Sequence, residues 1–60
     1  MFNEYDVVIS KRALSDKVYA GCKGAILMCF EGDDYEVEFI DEDEETLEVL
    51  TVSGINLQAV

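Results

Sequence analysis

An all-β fold of five short strands, occupying residues 1–60 as one domain, is predicted by three observations. Apolar and acidic residues alternate strictly from Tyr35 to Phe39, the period of a half-buried strand. Other apolar segments have strand length and are separated by glycine and acidic clusters. The one long interval between them, Ser10 to Cys22, sustains no apolar period.

In chain order, Tyr5 to Ile9 is a β-branched first strand, and Ser10 to Cys22 is a long loop. Gly24 opens the apolar run Ala25 to Phe30, which ends at the hairpin signal Glu31-Gly32-Asp33-Asp34. The alternating strand follows from Tyr35. The acidic run Asp41 to Glu45 is too charged for a core strand, so it separates that strand from Thr46 to Val52, again rich in β-formers. Ser53-Gly54-Ile55-Asn56 reads as one short helical turn before a final strand, Leu57 to Val60. Five strands in this order, with a long first loop and tight middle hairpins, match a small SH3-like barrel, whose closure removes most exposed strand edges.

Pairing the second hairpin so that residue numbers sum to 86 sets Phe39 against Leu47, Val37 against Val49 and Tyr35 against Thr51, with the apolar sets on one face. The same register places Glu38 opposite Glu48, with Glu36 nearby, and facing like charges are destabilising. Ile40, Leu50 and Val52 take the nominal outer face, from which strong bending can return the latter two to the interior. In the first hairpin, Ile26, Met28 and Phe30 or Leu27 and Cys29 serve equally well as the inward set; periodicity leaves both open.

The charge is lopsided. All four basic residues, Lys11, Arg12, Lys17 and Lys23, precede residue 24, whereas eleven of the fourteen acidic residues lie from Glu31 to Glu48. A hydrophobic fraction of 50% still argues for a folded chain despite a net charge of −10. So acidic a chain repels nucleic acid, which excludes an RNA-binding reading of the Gly21-x-x-Gly24 turn; those glycines are read as supplying positive φ. No apolar run is long enough to cross a bilayer, and the N-terminus lacks signal-peptide order, so a soluble cytoplasmic protein is expected.

Catalytic and cofactor chemistry finds little support. With no histidine and only Cys22 and Cys29, one chain cannot assemble a four-ligand zinc site, and the cysteines are expected to remain reduced thiols, Cys29 as a small core hydrophobe. Asp41, Asp43 and Glu45 share the alternate spacing of a calcium loop but lack its glycine and distant glutamate. Glu36, Glu38 and Glu48 on an open face have no pocket to separate their pKa values for acid-base work. Neither an enzyme nor a bound cofactor is expected. Tyr35 is assigned to the core, and Tyr19, in the long loop, is the tyrosine best suited to an interface.

The strings Glu4-Tyr5-Asp6-Val7-Val8, Gly21-Cys22-Lys23-Gly24-Ala25-Ile26, Tyr35-Glu36-Val37-Glu38-Phe39 and Leu57-Gln58-Ala59-Val60 together resemble a family of short bacterial proteins. It is catalogued as a domain of unknown function, four-nine-two-six, with a Tyr-Glu-Val-Glu-Phe strand. The resemblance implies an SH3-like fold and, for members that look like small antitoxin or immunity proteins, neutralisation of a neighbouring toxin. Relatives carry a less charged turn with glycine after the position of Asp41, and a polar residue at that of Met28. The latter implies that Leu27 and Cys29 face inward and Met28 outward. The expected core is then Val7, Leu27, Val37, Phe39, Leu47 and Val49.

The function expected from charge and resemblance together is a small acidic binding module, an antitoxin or immunity protein that covers a basic surface of a toxin such as a nuclease. Glu36, Glu38, Asp41, Glu42, Asp43, Glu44, Glu45 and Glu48 would steer the encounter, while Tyr19, Met28, Phe30 and Ile40 would supply apolar contact. The partner is a basic protein, not nucleic acid or membrane, and the chain itself a monomer or weak dimer. Two other readings use the same surface: an accessory subunit that docks on an enzyme or self-assembles through a barrel edge, and a mobile-element inhibitor that mimics nucleic acid.

Overall fold

In the computed structural model, which describes residues 1–60, the alternating stretch forms a strand, Asp34–Ile40, with Tyr35, Val37 and Phe39 buried and Glu36 and Glu38 half-buried opposite them. Numbered along the chain, the strands are β1 (Val7–Ser10), β2 (Lys23–Cys29), β3 (Asp34–Ile40), β4 (Thr46–Ser53) and β5 (Leu57–Ala59), with one 3-10 turn at Gly54–Asn56 before β5. They form one antiparallel sheet in the order β4-β3-β2-β1-β5. This is the connectivity of an SH3-like barrel, although β4 and β5 remain at the two sheet edges instead of pairing to close it.

Two β-bulges decide which residues face the core. At the start of the second hairpin Ile40 pairs with Thr46, as the sum-86 register requires. The register then shifts, and Phe39 lies opposite Glu48, Val37 opposite Leu50 and Tyr35 opposite Val52. Leu47 is the extra residue of that bulge. Because side chains alternate with period two, one inserted residue reverses the facing of everything beyond it. Leu50 and Val52 therefore turn inward, and Val49 and Thr51 are exposed, contrary to the expected register. Leu47 still packs against the core. The bulge thus lets all three aliphatic residues contribute.

A second shift lies between Ile26 and Met28 in β2: Ile26 pairs with Val37, Met28 with Glu36. Ile26 is fully buried, Leu27 only half-buried, and Met28 faces outward as expected. The expectation that Cys29 serves as a core hydrophobe is not met. Cys22 is buried in the core cluster, whereas Cys29 is exposed, and both are free thiols. Strand β1 begins two residues later than the pattern suggested, because Tyr5 sits in a left-handed turn with φ 70. Val8 rather than Val7 points inward.

The core comprises Val8, Val18, Cys22, Ile26, Tyr35, Val37, Phe39, Val52 and Leu57. Val18 is supplied by the long loop, which is tied down rather than loose. Ser10 Oγ donates to the Tyr19 carbonyl at 2.7 Å and accepts from the Cys22 amide at 3.0 Å, while the Leu14 amide donates to the Val18 carbonyl at 2.8 Å. Ser10 is thereby a buried hydroxyl with both roles satisfied, as burial of a polar group demands. Gly21 has the expected positive φ of 85. Gly24 serves another purpose: a Cβ there would lie 2.7 Å from Val37 Cγ1 and 2.9 Å from Phe39 Cδ1, so its absence allows β2 to pack against β3 side chains.

Candidate protein-binding surface

The acidic turn between β3 and β4 is built by one of its own carboxylates. Asp41 Oδ1 accepts from the Asp43 amide at 2.8 Å and the Glu45 amide at 2.9 Å, while the Asp41 carbonyl accepts from the Glu44 amide at 2.9 Å. The Asp41 amide closes the loop on the Glu45 carbonyl at 3.0 Å. This is a three-residue hairpin loop whose last position must be left-handed, the position that usually carries glycine. Here it is Glu44, with φ 64. An asparagine or aspartate at the start of a turn commonly caps it this way, which is why Asp41 is committed to the backbone and the remaining carboxylates point to solvent. No group of three or more His, Cys, Asp or Glu is arranged to hold a metal ion.

Beside this turn the long loop and the end of β3 enclose an open hollow of about 320 Å³, lined by Tyr19, Gly21, Lys23, Ile40, Asp41, Glu42 and Glu44. Tyr19 and Ile40 are therefore brought together with Asp41, Glu42 and Glu44, whereas Asp43 and Glu45 do not line the hollow. The Tyr19 phenol is raised above its ordinary value, first by the charge of the neighbouring Cys22 thiolate form and then by partial burial, with Glu42 and Asp41 adding to it. Burial pushes the Cys22 thiol up, against the lowering effect of Tyr19. It stays protonated at neutral pH and donates to the Ile40 carbonyl at 3.5 Å, so it is no activated nucleophile. On the core side the Tyr35 hydroxyl accepts from the Phe2 amide at 3.2 Å, which lowers its pKa, but burial and the Asp33 carboxylate, to which it donates at 2.9 Å, raise it overall.

The outer face of the sheet forms a second region. Cross-strand partners share a face, and one row runs Val7, Ala25, Glu38, Val49, another Met28, Glu36, Thr51. Val7, Met28 and Val49 are 42%, 46% and 45% exposed, giving the face apolar area next to two carboxylates. Val7 and Val49 were missed from sequence because each was assigned to the core by a register that the bulge and the late start of β1 overturn. Phe30 is exposed at the other end of β2, away from the acidic turn. Glu48 leaves the set altogether. It lies opposite Phe39, half-buried, with Ser15 Oγ donating to its Oε1 at 2.5 Å. Glu38 faces Val49, not Glu48, and accepts from Thr46 Oγ1, so the expected like-charge opposition does not occur.

Every side-chain carboxylate hydrogen-bonded within the chain takes its proton from a neutral group: the Asn3, Asp43 and Glu45 amides or the Ser15, Tyr35 and Thr46 hydroxyls. No carboxylate is thus hydrogen-bonded to a cation, and Lys23 is the single cation lining the hollow beside Asp41, Glu42 and Glu44. The model of the family described as "Domain of unknown function (DUF4926)" matches residues 4–59. No curated protein and no solved structure matches the chain.

Proposed function

From the net charge of −10 of this chain, which belongs to that family of domains of unknown function, we propose that it is a non-catalytic protein-binding module, an antitoxin or immunity protein that occludes a basic surface of a partner. The observation that carries this reading is the polarised charge: eleven carboxylates from residue 31 to 48, none relieved by an internal cation among its hydrogen-bonding partners. A field of that sign steers a cationic protein toward the domain, and apolar residues then hold it. Tyr19 and Ile40 stand beside the acidic turn, with Val7, Met28 and Val49 on the outer face. The mechanism is steric and electrostatic occlusion, and the cytoplasm is where it would meet a toxin nuclease. Phe30 joins this surface only for a partner large enough to reach round the hairpin.

The test is co-expression with the product of the adjacent gene. Protection of cells from that product, together with a stable complex on size-exclusion chromatography, is the expected result. A toxic neighbour left fully active, with no complex formed, would sink the antitoxin reading. A complex with a host defence nuclease instead would favour nucleic-acid mimicry through the same surface.

A further inference from the structure

Strand β4 lies at the sheet edge, bonded on one side to β3 and on the other to nothing: none of the turn and loop backbone hydrogen bonds involves residues 46–53. Natural proteins usually blunt such an edge with lysine, proline, a bulge or shortness. Strand β5, the opposite edge, is three residues long. In β4 the bulge at Leu47 interrupts only its start, leaving Glu48–Ser53 regular over roughly 20 Å at the usual rise per residue. It contains no proline and no lysine, and its one charge, Glu48, is held by Ser15. From Val49 to Val60 the chain has no charged residue at all.

Both ends of this edge are acidic, and only Val49–Ser53 between them carries no charge. The Asp41 to Glu45 turn leads into Thr46, and at the far end Ser53 pairs with Asp34, while the Gly54 amide donates to the Asp33 carbonyl at 2.7 Å. A second copy pairing antiparallel to β4 would bring each acidic turn against the other copy's Asp33 and Asp34, a like-charge contact at both ends. An extended segment with cations at both ends meets the opposite situation. We infer that β4 accepts, by strand addition, an extended segment of a basic partner that has an uncharged β-forming middle and lysine or arginine at each end. Main-chain hydrogen bonds to the free edge would give affinity, and the two acidic ends would fix the segment's placement. This inference rests on the basic-partner reading above and adds where, and in what conformation, the partner binds.

The probe is a synthetic peptide of alternating threonine and valine flanked by lysines, added to isotope-labelled protein while backbone amide exchange is followed. Alternate amides from Glu48 to Ser53 are expected to exchange at least about tenfold more slowly in the complex, because they gain partners they lack in the free protein. A proline-interrupted peptide should give no such protection. Val49→Lys, at an exposed position, should weaken binding by on the order of tenfold through repulsion while the domain stays folded. Perturbation of the acidic turns or of the Val7 and Met28 face without protection of β4 overturns strand addition and leaves the basic-partner reading standing. Equal protection by a glutamate-flanked peptide overturns the charge assigned to the partner. Protection of β4 that grows with protein concentration alone means that a second copy is the occupant, which overturns the inference.

Discussion

Glu44 occupies a backbone conformation that costs an L-residue energy, and replacing it tests both the turn and the reason for its charge. At φ 64 the Cβ of Glu44 crowds its own backbone, a penalty of about 1–2 kcal/mol for a non-glycine residue. Glycine removes that penalty but gives back roughly 0.5–1 kcal/mol through its greater freedom in the unfolded chain. Loss of one carboxylate beside Asp41, Glu42, Asp43 and Glu45 adds a few tenths of a kcal/mol at this exposed site. Glu44→Gly should therefore stabilise the domain by about 0.5–1.5 kcal/mol, which for a chain of this size raises Tm by roughly 3–10 °C. Glu44→Gln removes the charge and keeps the strain, so the difference between the two variants in urea and thermal unfolding isolates the backbone. Glu44→Gly no more stable than Glu44→Gln would refute the left-handed turn. The same two variants should associate with a basic partner more slowly than the parent, to similar extents, because both lose the same charge.

Three other outcomes are expected. Gly24→Ala should destabilise by about 1–3 kcal/mol, since the new Cβ must displace Val37 and Phe39 side chains in a packed core; urea unfolding measures it. Glu48→Ala and Ser15→Ala should each cost about 1–2 kcal/mol, and a double-mutant cycle should show coupling, whereas independent effects would mean that the loop is not anchored there. Iodoacetamide should modify Cys29 in the native state and Cys22 only on unfolding. Because Cys22 is raised above its ordinary value of 9.0 when folded, its contribution to stability is complete below that pH and declines as pH rises through the folded value; Cys22→Val should flatten the decline, and an unchanged slope would exclude it as the source.

Most of the fold was legible because β3 alternates without exception and its neighbours are bounded by glycine or acid clusters. What the pattern did not reveal was the pair of bulges. Thr46 to Val52 contains apolar residues at both parities, Leu47 and Val49 against Leu50 and Val52, and no local signal distinguishes one continuous register from two joined by an extra residue. The turn does support the sum-86 pairing, as Ile40 and Thr46 confirm; tertiary packing of Leu50 and Val52 decides the rest. Similarly, Val18 gave no periodic cue inside the loop, and its burial follows from Ser10 drawing the loop back over the sheet. The acidic turn was legible as an exposed candidate because charge clusters avoid cores, and Tyr19 as an interface tyrosine, but nothing in the sequence placed the long loop beside the turn, a proximity that comes from the fold. Val7 and Val49 were not legible, for they are indistinguishable from core valines until the register is fixed.

The most direct test of the central claim is the rate at which a basic partner associates with a variant carrying Lys at Glu42, Glu44 and Glu45, all exposed in the turn. Three reversals change the local charge by about six units, so attraction to a cationic surface becomes repulsion at short range, screened over roughly 8 Å at physiological salt. With a native circular dichroism spectrum, the variant should associate at least about tenfold more slowly, and the fall in rate with added salt seen for the parent should be lost or reversed. A folded triple variant that associates at the parent rate with the parent salt dependence would contradict the claim that this carboxylate surface recruits the partner.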